Sequence, residues 1–466
     1  RLSLDHPPDY PLGSTFVSRL KSTLEAEDCT AATSLIRGHL KHVDTTIELA
    51  NDDWMKDPTA RLPPLVLMGN CTHLKALTAR FCEDVNVLYE ISMDELEWKP
   101  KTVGNFGLSG LWSLEYKREL TNPLCITASR GYRDCLQYLL ECGARVNAAP
   151  GGKTALHQAC ENGHTDCVEL LLEHRANPNL LGEDGLASLH LCNTTQSFRC
   201  AKLLLKHGAV VNQASQDDLE MPLHVAAKGG LDNHVHLYLR YGAKVDSTNS
   251  LRETPLNAAC ARAHSPEDKE AYLHVCKLLI IYGADVNTMD EEKKSPLHKA
   301  CRNANHSLVN LLLENMVDVN AIDYNGTSPM ACVLQTANLK HEMKPHRTVQ
   351  SLLNYGSHRV WPAAFLKVLK SCASAPKTIE ILFNSYCQIP VTEKWVDAVP
   401  EEAFQLHLPF YESLFMLAST PRSLQHLCRY TIRKRFGERC HSAIPQLAVP
   451  KFIQSYLLLE PEGAVH

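Results

Sequence analysis

At 466 residues the chain is too long for one ordinary globular domain, unless it grows by stacking repeated units. An apolar share of 44% suffices for a real core, and a net charge of -5 leaves no global basic field for nucleic acid or an anionic membrane. The longest apolar run, near Leu278–Ile281, is far short of the roughly 18 residues that span a bilayer.

Arg1–Pro8 lacks the apolar core of a secretory signal, and the missing Met is expected of a processed or trimmed start. The 18 cysteines include no pair separated by two residues, so zinc-ribbon and thioredoxin-type spacings are absent. Several fall on predicted buried helix faces, where free Cys acts as a small hydrophobe. A reducing compartment, cytosol or nucleus, is expected.

Residues 1–118 hold worn copies of a helical unit. Asn70–Leu77 followed by Asp84-Val85-Asn86-Val87 reads as a second helix and closing turn, and Asp28–Ile36 as another copy. Residues 88–118 depart from the pattern, with Phe106–Tyr116 read as an aromatic-rich insertion packing on the array.

From 119 to 357 one segment recurs: Thr154-Ala155-Leu156-His157, Ala187-Ser188-Leu189-His190, Met221-Pro222-Leu223-His224, Thr254-Pro255-Leu256-Asn257 and Ser295-Pro296-Leu297-His298. Counting from Pro123 to Pro362, copies lie 32 to 34 residues apart, except for 41 between Pro255 and Pro296, where an insertion at 263–270 accounts for the difference. Each copy continues into an apolar second helix and a turn, as in Lys277–Ile280 leading to Gly283-Ala284-Asp285-Val286-Asn287. Pro at the first helical position has its φ preset and loses no needed N–H. Gly143, Gly208, Gly242, Gly283 and Gly356 end second helices, where left-handed backbone suits Gly, whereas Arg175 and Met316 should strain the same turn. The period and motif together resemble the ankyrin repeat. That resemblance implies an all-α solenoid of helix pairs whose hairpin tips and first helices bind proteins.

Residues 358–420 read as a degenerate capping repeat, with helices near 363–372 and 377–386, followed by connecting helices over 393–417. In 421–466 the character changes. Leu424, Cys428 and Ile432 share one helical face, and Ile444–Leu457 follows with Leu447-Ala448-Val449-Pro450. Placed after ankyrin repeats, this resembles the SOCS box, and the whole chain resembles the ankyrin-repeat and SOCS-box family.

The resemblance implies a small three-helix module in which Ser423, Leu424, Cys428 and Ile432 bind elongin C, with elongin B alongside. It further implies that Leu447, Val449 and Pro450 favour a cullin of the fifth class carrying a RING subunit. Ala448 stands where the family has its first Pro, so cullin choice is less firmly implied than elongin binding. The closing Ile453, Tyr456 and Leu457 match the family's last helix. The function implied is a non-catalytic substrate-recognition subunit of a ubiquitin ligase, with an unnamed protein substrate; the alternative is an ankyrin scaffold without a ligase role.

Other motifs read as structural, with no cofactor and no metal expected. Gly151-Gly152-Lys153-Thr154 lacks the first Gly of a phosphate loop. His341 and His346 are spaced i, i+5 rather than i, i+4, and Pro345 is expected to break the helix. The recurring His157, His190, His224 and His298 should bond hairpin backbone, and Cys135, Cys167 and Cys200 should serve packing. Arg429, Arg433, Lys434, Arg435 and Arg439 read as a solvated basic face. Acidic hairpin tips such as Asp290-Glu291-Glu292 suggest a partner with a basic patch, and the inserts at 263–270 and 337–347 should be exposed loops.

Overall fold

The computed structural model describes Ala31, 85–86, the backbone of 89–100 and 112–120, and 121–465 apart from 265–266, 418–419 and the side chains of His341 and Glu393. The proposed helices at 28–36 and 70–77 therefore lie outside the described residues, save Ala31. The chain forms two compact units, Arg1–Asp217 and Asp218–His466.

The first unit contains an antiparallel hairpin, β1 (Tyr89–Pro100) and β2 (Trp112–Thr121), pairing Tyr89 with Thr121 and Trp98 with Leu114. It occupies the stretch that departs from the repeat pattern and is the one β element beside an otherwise helical fold, among the described residues. Five helices follow: α1 (Pro123–Arg130), α2 (Arg133–Glu141), α3 (Ala155–Glu161), α4 (Thr165–Glu173) and α5 (Phe198–Lys206). First helix α1 packs on first helix α3, and second helix α2 on α4. The repeat at Ala187–His190 forms turns rather than a first helix.

The second unit stacks α6 (Pro222–Lys228), α8 (Pro255–Arg262), α10 (Pro296–Arg302) and α12 (Pro329–Thr336) as one row of first helices. Their partners α7 (Asp232–Arg240), α9 (Lys269–Ile281), α11 (His306–Glu314) and α13 (Pro345–Asn354) form the outer row. The capping repeat gives α14 (Phe365–Ser371) and α15 (Pro376–Asn384), then α16 (Glu401–Leu406) and α17 (Leu408–Met416). The C-terminal module holds α18 (Leu424–Phe436), the short α19 (Cys440–Ala443) and α20 (Lys451–Leu457).

Two side-chain ladders explain the period. Nδ1 of His157, His190, His224 and His298 accepts a backbone N–H from Thr154, Ala187, Met221 and Ser295, at 3.2–3.3 Å. That leaves Nε2–H to donate to the hairpin carbonyls of Leu186, Glu253 and Thr327 from His157, His224 and His298, at 3.0–3.1 Å. Burial lowers the pKa of these three rings and keeps them neutral, as this pattern requires. In the outer turns Asn147 and Asn179 accept the N–H of Asn177 and Val210 in the first unit, and Asn287 and Asn320 those of Asp318 and His358 in the second. Asn86 accepts the Arg145 N–H in the same way, at 2.8 Å; of the worn turn at 84–87 only 85–86 lie within the described residues.

The turn glycines Gly143, Gly208, Gly242, Gly283 and Gly356 have φ of 83° to 92°, and Arg175 and Met316 adopt φ 61° at the same place. Cys135, Cys167 and Cys200 are buried cysteines outside any disulfide in second-helix cores, with burial raising Cys167 and Cys200 to about 11.

Two expectations about the inserts need correction. In the first, Ala263 is buried and Lys269 and Glu270 already belong to α9, while His264, Glu267 and Asp268 form an exposed turn between α8 and α9, as expected. In the second, Pro345 opens α13 instead of breaking a helix, Met343 is buried, and Lys340 Nζ donates to Asn303 at 2.8 Å. A segment with its own buried side chain and cross-repeat bonds is part of the array's core, not a free loop.

Candidate functional site

Helix α18 starts at Ser423, whose hydroxyl accepts the His426 N–H at 3.2 Å and caps the first turn. Residues 422, 426, 429 and 433 recur at helical spacing and face inward. They are Arg422, His426, Arg429 and Arg433, all polar. Leu424 points the other way and is 77% exposed, with Cys428 exposed and Leu427 partly so. The helix is inverted relative to an ordinary surface helix, which buries its apolar stripe and solvates its charges.

The inward face is held by a connected polar network. His426 Nδ1 accepts from Arg422 at 2.7 Å and from Arg429 at 3.0 Å, while its Nε2–H donates to the Tyr386 carbonyl at 2.8 Å. Arg422 also donates to Asn384 at 2.6 Å. Arg429 lies over the Tyr456 ring at 4.1 Å and pairs with Glu462 at 3.7 Å. Burial, then Arg422, pushes His426 down to about 4; burial, then Arg429, brings Arg422 to about 10. Arg433 donates to Asn354 and to the carbonyls of Leu457 and Leu353, at 2.6 to 3.2 Å. The basic run is thus not one solvated face: Arg429 and Arg433 are structural, while Lys434, Arg435 and Arg439 are exposed. No signal in the sequence separated the two groups, because both stripes have the same helical period.

The remaining expected contact residues divide. Ile432 is half-buried and packs with Phe436, Leu447 and Ile453 against the module's core of Cys440, Ile444 and Leu457. It does not join Leu424 and Cys428 on the outer face. Leu447 likewise belongs partly to that core, whereas Val449 is half-buried and Pro450 exposed. Gln454 sets the shape of this loop, its amide donating to the Leu447 carbonyl at 3.0 Å and near those of Val449 and Pro445. On α20, Phe452 is 73% exposed.

The module is fastened to the last repeats at several points. Gln350 and Asn354 donate to the Leu458 carbonyl at 3.0 and 3.1 Å, and Tyr355 stacks on His441 at 3.7 Å. The tail returns beneath α15: the amides of Glu462 and Gly463 donate to buried Glu380, whose pKa burial raises, and Val465 N–H reaches Ser413 at 3.1 Å.

Acidic hairpin residues are largely engaged within the fold. Glu220 pairs with Lys228, Glu253 and Asp290 with Lys299, and Glu292 with Lys294. Asp323 caps its own loop, accepting from Asn325 and Thr327. Glu183, Asp217, Asp218 and Glu291 of the expected acidic tips are exposed. Exposed apolar side chains, Leu251, Ile322 and Tyr324, stand beside them. Among the described residues no cluster of His, Cys, Asp or Glu could hold a metal ion, and no helix is long and apolar enough to cross a membrane.

The family described as ankyrin repeats (3 copies) matches residues 124–215, 223–323 and 267–358, and the family described as SOCS box matches residues 420–458. The chain is 54% identical to human (Homo sapiens) ankyrin repeat and SOCS box protein 18 over 99% of both chains. It is 39% identical to the human protein 16 of that series over 85% of both, and 44% identical to the human protein 10 over 76% of this chain and 77% of that one.

Proposed function

The chain belongs to the ankyrin repeat and SOCS box family, and from that premise we propose that it is the substrate-recognition subunit of a ubiquitin ligase. The array takes a protein substrate, and the C-terminal module docks on elongin C, with elongin B and a fifth-class cullin with its RING subunit completing the assembly. The chain itself is a non-catalytic adaptor, and ubiquitin transfer is supplied in trans.

The observation that carries this reading is the inversion of α18. Leu424 and Cys428 are exposed while His426 and Arg429 are buried on the opposite face. An exposed apolar face that the fold itself could have buried is a binding face. Fully burying a Leu is worth roughly 1.5–3 kcal/mol, enough to anchor a complex. Ser423 fixes the helix start, Ile432 fastens the helix to its own module, and Leu447, Val449 and Pro450 form the loop offered to the cullin.

The test is co-purification of the full chain with elongin B and C. Leu424→Ala with Cys428→Ala should abolish capture while leaving the melting temperature unchanged, since neither side chain contributes to the module's core. Undiminished capture would reject the assignment and favour an ankyrin scaffold without a ligase role.

A further inference from the structure

Where the last well-formed repeat meets the C-terminal module, a cavity of about 400 Å³ opens between Leu353, Gly356–Arg359 and Ser385 on the repeat side and Arg433, Lys434, Gly437, Glu438 and Cys440 on the module side. Its wall carries three permanent cations, Arg359, Arg433 and Lys434, and one carboxylate, Glu438. Among the described residues none of the three cations forms an ion pair. The other cations of this region are engaged: Arg429 has Glu462, and Arg422 has Asn384 and His426.

Two of these cations, Arg433 and Arg359, are held in place, and Lys434 is exposed beside them. The Arg433 guanidinium is pinned by Asn354 and by the carbonyls of Leu353 and Leu457, which take three of its N–H groups and leave others uncommitted. Arg359 lies against two rings, 5.7 Å from Tyr386 and 5.2 Å from Tyr430. Burial, with the like charges of Arg429 and Arg359 in the same sense, lowers Arg433 to about 10, so it remains cationic at neutral pH. The partly desolvated Arg433 guanidinium, with the exposed Arg359 guanidinium held by its two rings on the same wall and neither paired with a carboxylate, suits a tetrahedral oxyanion, which accepts two parallel N–H bonds from such a group.

We propose that this cavity is a binding site for a phosphate-bearing polyanion that bridges Arg359 of the repeat array to Arg433 and Lys434 of the C-terminal module. The volume exceeds that of one phosphate group, so the ligand carries either two linked phosphates or one phosphate on an organic stem. By joining cations from both sides, the anion stiffens the joint between the array and the module. This goes beyond the adaptor reading and does not depend on it.

The experiment uses the full chain and calorimetric titration with inorganic pyrophosphate and, separately, with phosphoserine amide, each against potassium chloride of matched ionic strength. One saturable site is expected, together with a rise in melting temperature beyond that of the salt control. Arg359→Gln with Lys434→Gln, both on exposed side chains, should weaken binding at least tenfold and abolish the ligand-induced rise in melting temperature, each read against the same variant in salt alone, where loss of the Arg359 ring contacts is already counted. Glu438→Gln, which removes the competing carboxylate, should tighten it. Stronger binding of pyrophosphate identifies a soluble polyphosphate as the source, and stronger binding of phosphoserine amide a phosphorylated segment. No saturable binding of either probe, or binding untouched by the double variant, overturns the proposal. Elongin capture, scored in parallel, fails or succeeds independently of this result.

Discussion

Gly356 and Glu438 approach so closely that a Cβ added to Gly356 would stand 2.4 Å from Glu438 Cγ. The contact joins the turn that ends α13 to the short segment that follows α18, and Gly356 also holds φ 90°. Gly356→Ala should therefore lose stability twice, through left-handed strain of about 1–2 kcal/mol and through displacement of Glu438. Gly283→Ala, at φ 92° with nothing within 4 Å of the new Cβ, carries the strain alone. Denaturant midpoints should place the first variant clearly below the second; equal midpoints would mean that Glu438 moves aside without cost.

His298 ties two adjacent repeats by accepting the Ser295 N–H and donating to the Thr327 carbonyl. His298→Ala leaves the buried Ser295 N–H without its acceptor, at a cost of about 1–3 kcal/mol, while the Thr327 carbonyl keeps the Asp323 N–H at 3.0 Å. His298→Asn should be milder, because Asn257 fills the same position and donates to the Thr288 carbonyl at 3.3 Å. Urea unfolding of the two variants checks the order, and a more stable alanine variant would refute the ladder.

Acid should unfasten α18. His426 sits near pKa 4 because of burial and the neighbouring Arg422 and Arg429, whose N–H groups its Nδ1 accepts. An ordinary imidazole near 6.5 in the unfolded chain binds its proton first. Stability is therefore full above about pH 6.5 and is lost as pH falls from there toward 4, since the unfolded state holds more protons in that window. His234 and His346, also lowered to about 4 mainly by burial, act in the same direction. Amide exchange over 422–432 should accelerate across this range. His426→Gln should flatten the dependence of that segment; an unchanged slope would show that other groups govern it.

Met343 and Leu339 lie in the same insert with opposite roles. Met343 is buried and Leu339 is 83% exposed. Met343→Ala should cost about 2–5 kcal/mol and Leu339→Ser less than about 0.5 kcal/mol. Thermal melts of both would settle whether the insert is core; a neutral Met343→Ala would return it to the status of a loop.

Ala448→Pro is expected to strengthen the loop proposed to meet a cullin. Leu447 already has φ -65° and ψ 135°, the extended geometry that a residue before proline needs, and Ala448 is exposed. A compatible proline should add about 0.4–1 kcal/mol by restricting the unfolded chain. Cullin capture should rise while elongin capture stays level; a fall in the melting temperature would show that the backbone at 448 cannot take the ring.

The repeats were legible because their chemistry is periodic. Pro at the first helical position, His three residues after the cap and Gly at the outer turn each solve one backbone problem per copy, so the same letters recur. Arg175 and Met316 could be marked as strained turns for the same reason, and both hold φ 61°. The β1–β2 hairpin was not legible: its register slips between Ser92 and Leu96, which breaks the alternation that announces a strand. Nor could the sequence say which stripe of α18 turns inward. Arg422, His426, Arg429 and Arg433 recur with the helical period just as Leu424 and Cys428 do. The choice is made by acceptors far away in the chain, at Leu353, Asn354, Asn384 and Tyr386.

A helix that keeps Arg429 and Arg433 inside and Leu424 outside leaves an apolar face bare in the solitary chain. Leu424 and Phe452, bare in the free protein, invite self-association until something covers them. A partner that binds only the folded chain adds stability by mass action, about 2.7 kcal/mol when it stands at a hundred times its dissociation constant. Copies in excess of that partner are the ones that unfold, aggregate or meet a protease. With the proposed partner on this face, the quantity of this protein in a cell would be metered by the supply of that partner as much as by its own synthesis.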